Sequence, residues 1–235
     1  MYSKSQKYYD DIYAATGKDY AAEAKILQKF IQKYKQSNGN RVLDIGCGTG
    51  IHANLLSKQH LVTGLDIDKK MLAVARKNYP KIKFHQGDMV DFKLPHKFDT
   101  IVCLFSAIGY VKTKSRLQRT IRNMAQHLLP GGVLLIEPWF TPNQWHPGRV
   151  FTVQVDKPDA KIVRMSLSSK RGNLSIIEFQ YLIGTPKGIE QDIEFLEMGL
   201  FTKGEYLDAF RSAGLKVIHD RKGLDGRGLY IGIKP

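Results

Sequence analysis

Val42-Leu43-Asp44-Ile45-Gly46-Cys47-Gly48-Thr49-Gly50 runs from an apolar strand into a loop with glycine at every second position. The residues behind it, 51–58, contain neither Gly nor Pro and are read as a helix. Glycine lets the backbone turn sharply and lets a ligand approach without a Cβ in the way. A helix opening behind such a loop points unpaired N–H groups at whatever binds. The glycine pattern alone says little. Asp66 gives it weight, because it lies twenty residues after Gly46 and closes a second apolar run, Leu61-Val62-Thr63-Gly64-Leu65. At that position a carboxylate reaches the two hydroxyls of a ribose.

Outward from this stretch, apolar strands alternate with helical patterns as far as residue 137, which predicts a parallel sheet with helices on its faces. Tyr20, Ala24, Leu27, Ile31 and Tyr34 recur at helical spacing and stop at Ser37-Asn38-Gly39. The expected strands are 41–45, 61–65, 82–86, 98–104 and 133–137, the last announced by Pro130-Gly131-Gly132. Leu117, Ile121, Met124 and Leu128 mark an amphipathic helix between the last two. Beyond residue 137 the period falls to two. Phe151, Val153 and Val155 alternate with polar residues, as do Ser175, Ile177, Phe179, Tyr181 and Ile183, with Gly172-Asn173 as a hairpin turn. Residues 140–199 therefore read as an inserted antiparallel sheet. A helix over 203–213 and strands over 215–219 and 229–233 return to the core. The expected division is 1–139 for N-terminal helices and the nucleotide-type core, 140–199 for the insertion, and 200–235 for the closing helix and strands.

The chain has 235 residues, 43% of them hydrophobic, and a formal net charge of +14. It is long enough for one domain with a sizeable insertion. It has no run of eighteen apolar residues, and Met1-Tyr2-Ser3-Lys4 is not the start of a secretory signal. Cys47 and Cys103 suit neither a disulfide nor a metal site, so no metal is expected. These features point to a cytoplasmic protein. The positive charge favours polyanions: nucleic acid, acidic membranes or phosphorylated small molecules. The lysines are scattered, however, and no basic run exceeds two residues, as in Lys170-Arg171. That scatter fits a solvated surface first and a phosphate-bearing small ligand second.

Three acids end or follow consecutive strands: Asp44, Asp66 and Asp88, the last in Gly87-Asp88-Met89. Asp88 is placed to accept from an adenine amine, Asp66 to hold the ribose, and Asp44 to face a positive amino group. A dinucleotide site would more often show Gly-x-Gly-x-x-Gly, and position 51 is Ile. The whole set from Arg41 to Glu137 resembles class I S-adenosylmethionine-dependent methyltransferases. The resemblance implies a Rossmann-like α/β sheet of seven strands. It also implies S-adenosylmethionine held by Tyr20, Asp44, Gly46, Gly48, Gly50, Asp66, Ile67, Asp88, Met89 and Leu104.

Flanking segments extend the resemblance nearly end to end: 17–24, 105–110, Glu137-Pro138-Trp139-Phe140 and Gly226-Arg227-Gly228-Leu229-Tyr230. They look like the sugar N-methyltransferases that dimethylate the 3-amino group of dTDP-linked deoxyhexoses of the desosamine and mycaminose type. By that resemblance the acceptor is a nucleotide-linked amino sugar, and the insertion shapes its site and pairs two subunits. Tyr13, Tyr110 and Glu137 become catalytic candidates, with Tyr110 standing where that family tends to have histidine. Trp139, Arg164, Arg171 and Arg227 become substrate contacts, with Lys170 joining Arg164 and Arg171 as candidates for the diphosphate. Methyl transfer to a neutral amine is an in-line displacement, so positioning is expected to dominate over any single base. The competing readings are an RNA or protein methyltransferase, suggested by charge, and a non-catalytic S-adenosylmethionine-binding protein.

Overall fold

The computed structural model describes residues 5–235, so the opening Met1-Tyr2-Ser3-Lys4 lies outside the described residues. After a 3-10 turn at Ser5–Tyr8 come α1 (Tyr9–Ala15) and α2 (Tyr20–Tyr34). The alternating core follows as β1 (Arg41–Ile45), α3 (Ile51–Leu56), β2 (Leu61–Asp66), α4 (Lys69–Asn78), β3 (Lys83–Gln86) and β4 (Phe98–Cys103). A second 3-10 turn, Ala107–Val111, leads to α5 (Lys114–Gln126) and β5 (Leu128–Ile136). Next come four long strands, β6 (Val150–Asp156), β7 (Lys161–Arg171), β8 (Leu174–Thr185) and β9 (Gly188–Gly199). The chain closes with α6 (Lys203–Ser212), β10 (Lys216–Asp220) and β11 (Leu229–Ile233).

Seven strands form one mixed sheet in the order β10-β11-β5-β4-β1-β2-β3, and β6–β9 form a separate antiparallel sheet. The Rossmann-like α/β fold with an inserted antiparallel sheet is therefore the observed one. β1 beyond Arg41 and all of β4 are buried because helices cover both faces of the sheet. Leu43 and Ile45 pack toward α5 and α6 with Ile101, Ile121 and Phe210. Val42 packs the other way, against Leu27 and Ile31 of α2. The glycine loop emerges at the carboxyl edge of β1, where doubly wound sheets bind ligands.

Two local differences from the sequence reading have physical causes. The fifth strand begins at Leu128 rather than 133, so Pro130-Gly131-Gly132 lies inside it. Its pairing with β4 slips between Phe98 and Thr100, and Gly131 absorbs the irregularity at φ 74° while its carbonyl accepts from the Gln36 and Ser37 amides. Second, α1 does not belong to the nucleotide half alone. Ile12 packs with Val155, Ile162 and Phe179 in the apolar core of the inserted sheet. Among the described residues no helix is long and apolar enough to cross a membrane.

Candidate active site

A cavity of about 820 Å³ joins the carboxyl edge of the large sheet to the inner face of the inserted one. Its first half is the glycine loop and the acids beside it. Gly46, Gly48 and Gly50 all have positive φ, which explains glycine at alternate positions. A Cβ at Gly46 would lie 2.6 Å from the Ala107 Cβ, whereas a Cβ at Gly48 would meet nothing within 4 Å. Gly48 thus leaves open room beside Asp66. The Asp66 Oδ2 accepts from the Gly48 amide at 2.8 Å and Oδ1 from the Asp68 amide at 2.8 Å. Each oxygen keeps a lone pair for a ligand hydroxyl. Burial raises the Asp66 pKa, offset in part by those two amides.

Asp88 lines the same half. Its Oδ1 accepts from the Val90 amide at 3.0 Å and its Oδ2 from Arg116 at 2.9 Å. Leu65, Ile67, Met89 and Val111 complete an apolar slot between the two acids. This donor and acceptor set fits S-adenosylmethionine: diol acceptor, amine acceptor, apolar slot for the base, and open space at the loop. Gly46, Gly48, Ile67, Met89 and Leu104 line the cavity as expected.

Three of the residues assigned to the cofactor do not line it. Asp44 is 2% exposed, and its Oδ2 has no hydrogen-bond partner among the described residues. Alternation along β1 sends it away from Leu43 and Ile45, and its other hydrogen bond is to the Ala53 backbone of α3. Burial first, then the Asp66 charge, pushes its carboxyl up to about 7. The Tyr20 ring packs edge-on against His52, with centroids 5.1 Å apart, outside the cavity. Gly50 serves as the left-handed N-cap of α3.

The second half of the cavity belongs to the acceptor candidates. Tyr13, Tyr110, Trp139, Arg164 and Arg227 all line it. Arg164 points inward from β7, 7% exposed, with its guanidinium carbon 4.7 Å from the Phe179 ring centroid and 5.3 Å from that of Tyr13. No carboxylate among the described residues forms an ion pair with it, and its Nε has no hydrogen-bond partner. Arg171 and Lys170 are corrections. They lie at the exposed tip of β7, and Arg171 pairs with Glu197 at 2.8 Å, outside the cavity.

Glu137 is the other correction. It is fully buried behind the wall and does not line the cavity. Its Oε1 accepts from Arg227 Nη2 at 2.9 Å and its Oε2 from the Phe105 amide at 2.5 Å. Burial pushes its carboxyl up to about 7 against the opposing pull of Arg227. Phe105 and Ser106 both adopt left-handed φ, 50° and 58°. A non-glycine residue held there costs on the order of 1–3 kcal/mol. Phe105, Arg116, His146 and Arg149 line the cavity without having been singled out for it. The sequence signals for Phe105 were its place directly after β4 and Leu104 and its membership of the 105–110 segment that carries the family resemblance.

Comparison with known proteins decides between the families this geometry permits. A family model described as a methyltransferase domain matches residues 42–132. The dTDP-3-amino-3,4,6-trideoxy-α-D-glucopyranose N,N-dimethyltransferase of Streptomyces venezuelae is 37% identical over 96% of this chain and 95% of its own length. The crystal structure of Streptomyces venezuelae DesVI superposes with a TM-score of 0.93 at 35% identity, covering 100% of both chains. The chain belongs to the S-adenosylmethionine-dependent amino-sugar N-methyltransferases. A further member is CalS10, an amino pentose methyltransferase from Micromonospora echinaspora solved with bound S-adenosylmethionine. It covers 100% of this chain at 32% identity, 98% of its own chain and a TM-score of 0.88. In this methyltransferase one cavity thus sets the glycine loop, Asp66 and Asp88 opposite an aromatic half.

Proposed function

We propose that this chain N-methylates the amino group of a nucleotide-linked amino sugar. The observation that carries the proposal is Arg164, a buried guanidinium without a carboxylate partner among the described residues, set in the acceptor half of a cavity continuous with the donor half. A buried cation of that kind calls for an anion, and the diphosphate of a nucleotide sugar supplies one. Arg149 lines the same cavity and extends the positive lining. When bound, S-adenosylmethionine supplies a methyl group on an electron-poor sulfonium. The protein's own part is to hold, orient and keep water out. Tyr13, Tyr110 and Trp139 offer π-faces to the charge that develops on the acceptor nitrogen, worth roughly 0.5–2 kcal/mol per contact. Holding nucleophile and methyl carbon in line supplies up to about 7–11 kcal/mol of barrier reduction. A nucleotide-sugar acceptor fits a cytoplasmic location.

The test is a mass-spectrometric screen with S-adenosylmethionine against aminosugar nucleotides, simple amines, hydroxylated sugars and bulk transfer RNA. Mass gains of 14 and then 28 on an amino-sugar nucleotide are expected, one per methyl. Methylated transfer RNA would instead favour the nucleic-acid reading.

The outer face of the inserted sheet supports pairing of two copies. Val163, Met165 and Leu167 on β7, Leu182 on β8, and Ile193 and Phe195 on β9 are all exposed there. Exposed apolar residues gathered on one face mark association surfaces, and here Glu178 and Gln180 of β8 lie between those of β7 and β9. Light scattering is expected to give the mass of two chains for the wild type and of one chain for the doubly charged Met165→Glu, Phe195→Glu variant. A monomeric wild type would remove the dimer from the proposal.

A further inference from the structure

Glu137, Arg227, Phe105 and Ser106 come from three separated parts of the chain, and one hydrogen-bond network ties them. The Glu137 carboxylate accepts from the Phe105 amide at 2.5 Å and from Arg227 Nη2 at 2.9 Å. Arg227 Nη1 donates to Ser106 Oγ at 2.9 Å, and that hydroxyl donates to the Pro138 carbonyl at 2.7 Å. Asp225 forms a second ion pair with Arg227. The charged groups that influence Glu137 are therefore Arg227, Asp225 and Lys18, the last with its ammonium 4.0 Å from the Phe105 ring centroid. Between these anchors sits a two-residue left-handed turn of Phe105 and Ser106, a conformation that neither side chain favours. The turn carries Phe105 into the cavity wall, where its ring meets Tyr13 edge-on at 4.8 Å.

We propose that Glu137 is a positioning residue: it holds the left-handed Phe105–Ser106 turn and the Arg227 guanidinium, and so fixes the acceptor wall without touching the acceptor. Both of its oxygens are engaged with that wall, and a fully buried carboxylate with no opening to the cavity has no path to the amine proton. The proposal rests on reading the cavity as an amine-methylation site.

Two substitutions separate the roles. Glu137→Gln keeps one acceptor oxygen and loses the charge; Glu137→Met fills similar space and loses both acceptors. Losing hydrogen bonds to a charged group is expected to raise the acceptor KM by about tenfold or more for Glu137→Met, with Glu137→Gln in between. The KM for S-adenosylmethionine, kcat within about tenfold, and the shape of the pH profile of kcat should persist, since proximity carries the chemistry. A general base would give the opposite result: equal losses in both variants, concentrated in kcat, with the acidic limb of the profile abolished. Ser106→Ala provides a second reading if Glu137→Met does not fold. It removes the Arg227 and Pro138 links of a residue outside the cavity lining, and it should raise the acceptor KM in the same direction. An unchanged acceptor KM there would overturn the proposal.

A crystal structure of Glu137→Met with S-adenosylhomocysteine reads the clamp without any acceptor. Phe105 and Ser106 are expected to leave the left-handed region, and an unchanged turn would overturn the proposal. If the wild type methylates no amino-sugar nucleotide, the reading of the site fails, and the turn in that crystal structure still decides the role of Glu137.

Discussion

Arg164→Met should lower kcat/KM for an amino-sugar nucleotide by on the order of a hundredfold or more, while the free protein melts at the same temperature or higher. The two effects share one cause. Arg164 is buried on β7 between the Phe179 and Tyr13 rings with no ion-pair partner among the described residues. Desolvating a cation costs several kcal/mol, and in the free protein the Tyr13 and Phe179 ring faces offset part of that cost. Met fills comparable volume without the charge, so the fold gains or breaks even. In the complex the balance reverses, because removing one partner of a buried, hydrogen-bonded charge pair costs about 2–5 kcal/mol. Each 1.4 kcal/mol is about tenfold, which gives the stated loss. The measurements are acceptor kinetics, calorimetric binding of S-adenosylhomocysteine, which should be unaffected, and thermal unfolding. A lower melting temperature together with an unchanged acceptor KM would make Arg164 a packing residue and remove the diphosphate from its role.

Asp66→Ala is expected to weaken S-adenosylhomocysteine binding by about a hundredfold to ten-thousandfold. Asp66 already accepts from the Gly48 and Asp68 amides, one on each oxygen. Its removal leaves both donors unpaired at the mouth of the glycine loop and takes away the acceptor for the ribose diol. Hydrogen bonds to charged groups are worth roughly 1.5–3 kcal/mol each, and two of them give the expected range. Titration calorimetry measures the change directly. A loss below about threefold would mean that the diol is held elsewhere, and the assignment of this edge of the sheet to the ribose would fail.

The fold and the meeting of the glycine loop with Asp66 in one cavity were legible because both follow from local periodicity. The apolar run at residues 42–45, the glycine loop and Asp66 all lie within one strand–loop–helix–strand unit, and the parallel sheet follows from repeating it. The switch to period two after residue 137 gave the insertion and its hairpin at Gly172-Asn173, between Arg171 and Leu174. Asp44 shows where local reading stops. It stands in the same motif as Gly46, but its direction depends on which layer packs on which face of β1. Glu137 and Arg171 fail for a related reason. The sequence marks them as charges at the right height, yet only tertiary pairing with Arg227 and Glu197 tells whether they face the cavity. The acceptor half is assembled from α1, the turn after β4, the inserted sheet and the 225–228 loop, so no single stretch carries its pattern. Tyr13 and Arg227 were reached through family resemblance rather than through spacing.

The placement of α1 bears on how such enzymes diversify. Asp10 accepts a hydrogen bond from Thr49 of the glycine loop at 2.7 Å, while its neighbour Asp11 pairs with Lys157 of the inserted sheet at 2.8 Å and Ile12 packs into that sheet's core. The insertion is contiguous in sequence, and its hydrogen-bonded ladder is complete within itself. It has the form of an exchangeable cassette. Part of its seal against the donor half is nonetheless written far upstream in the chain, in the seven residues of α1. Acceptor preference can therefore drift in the cassette only as far as α1 and the other segments packed on it still fit, and a lineage that changes one is under pressure to change the other.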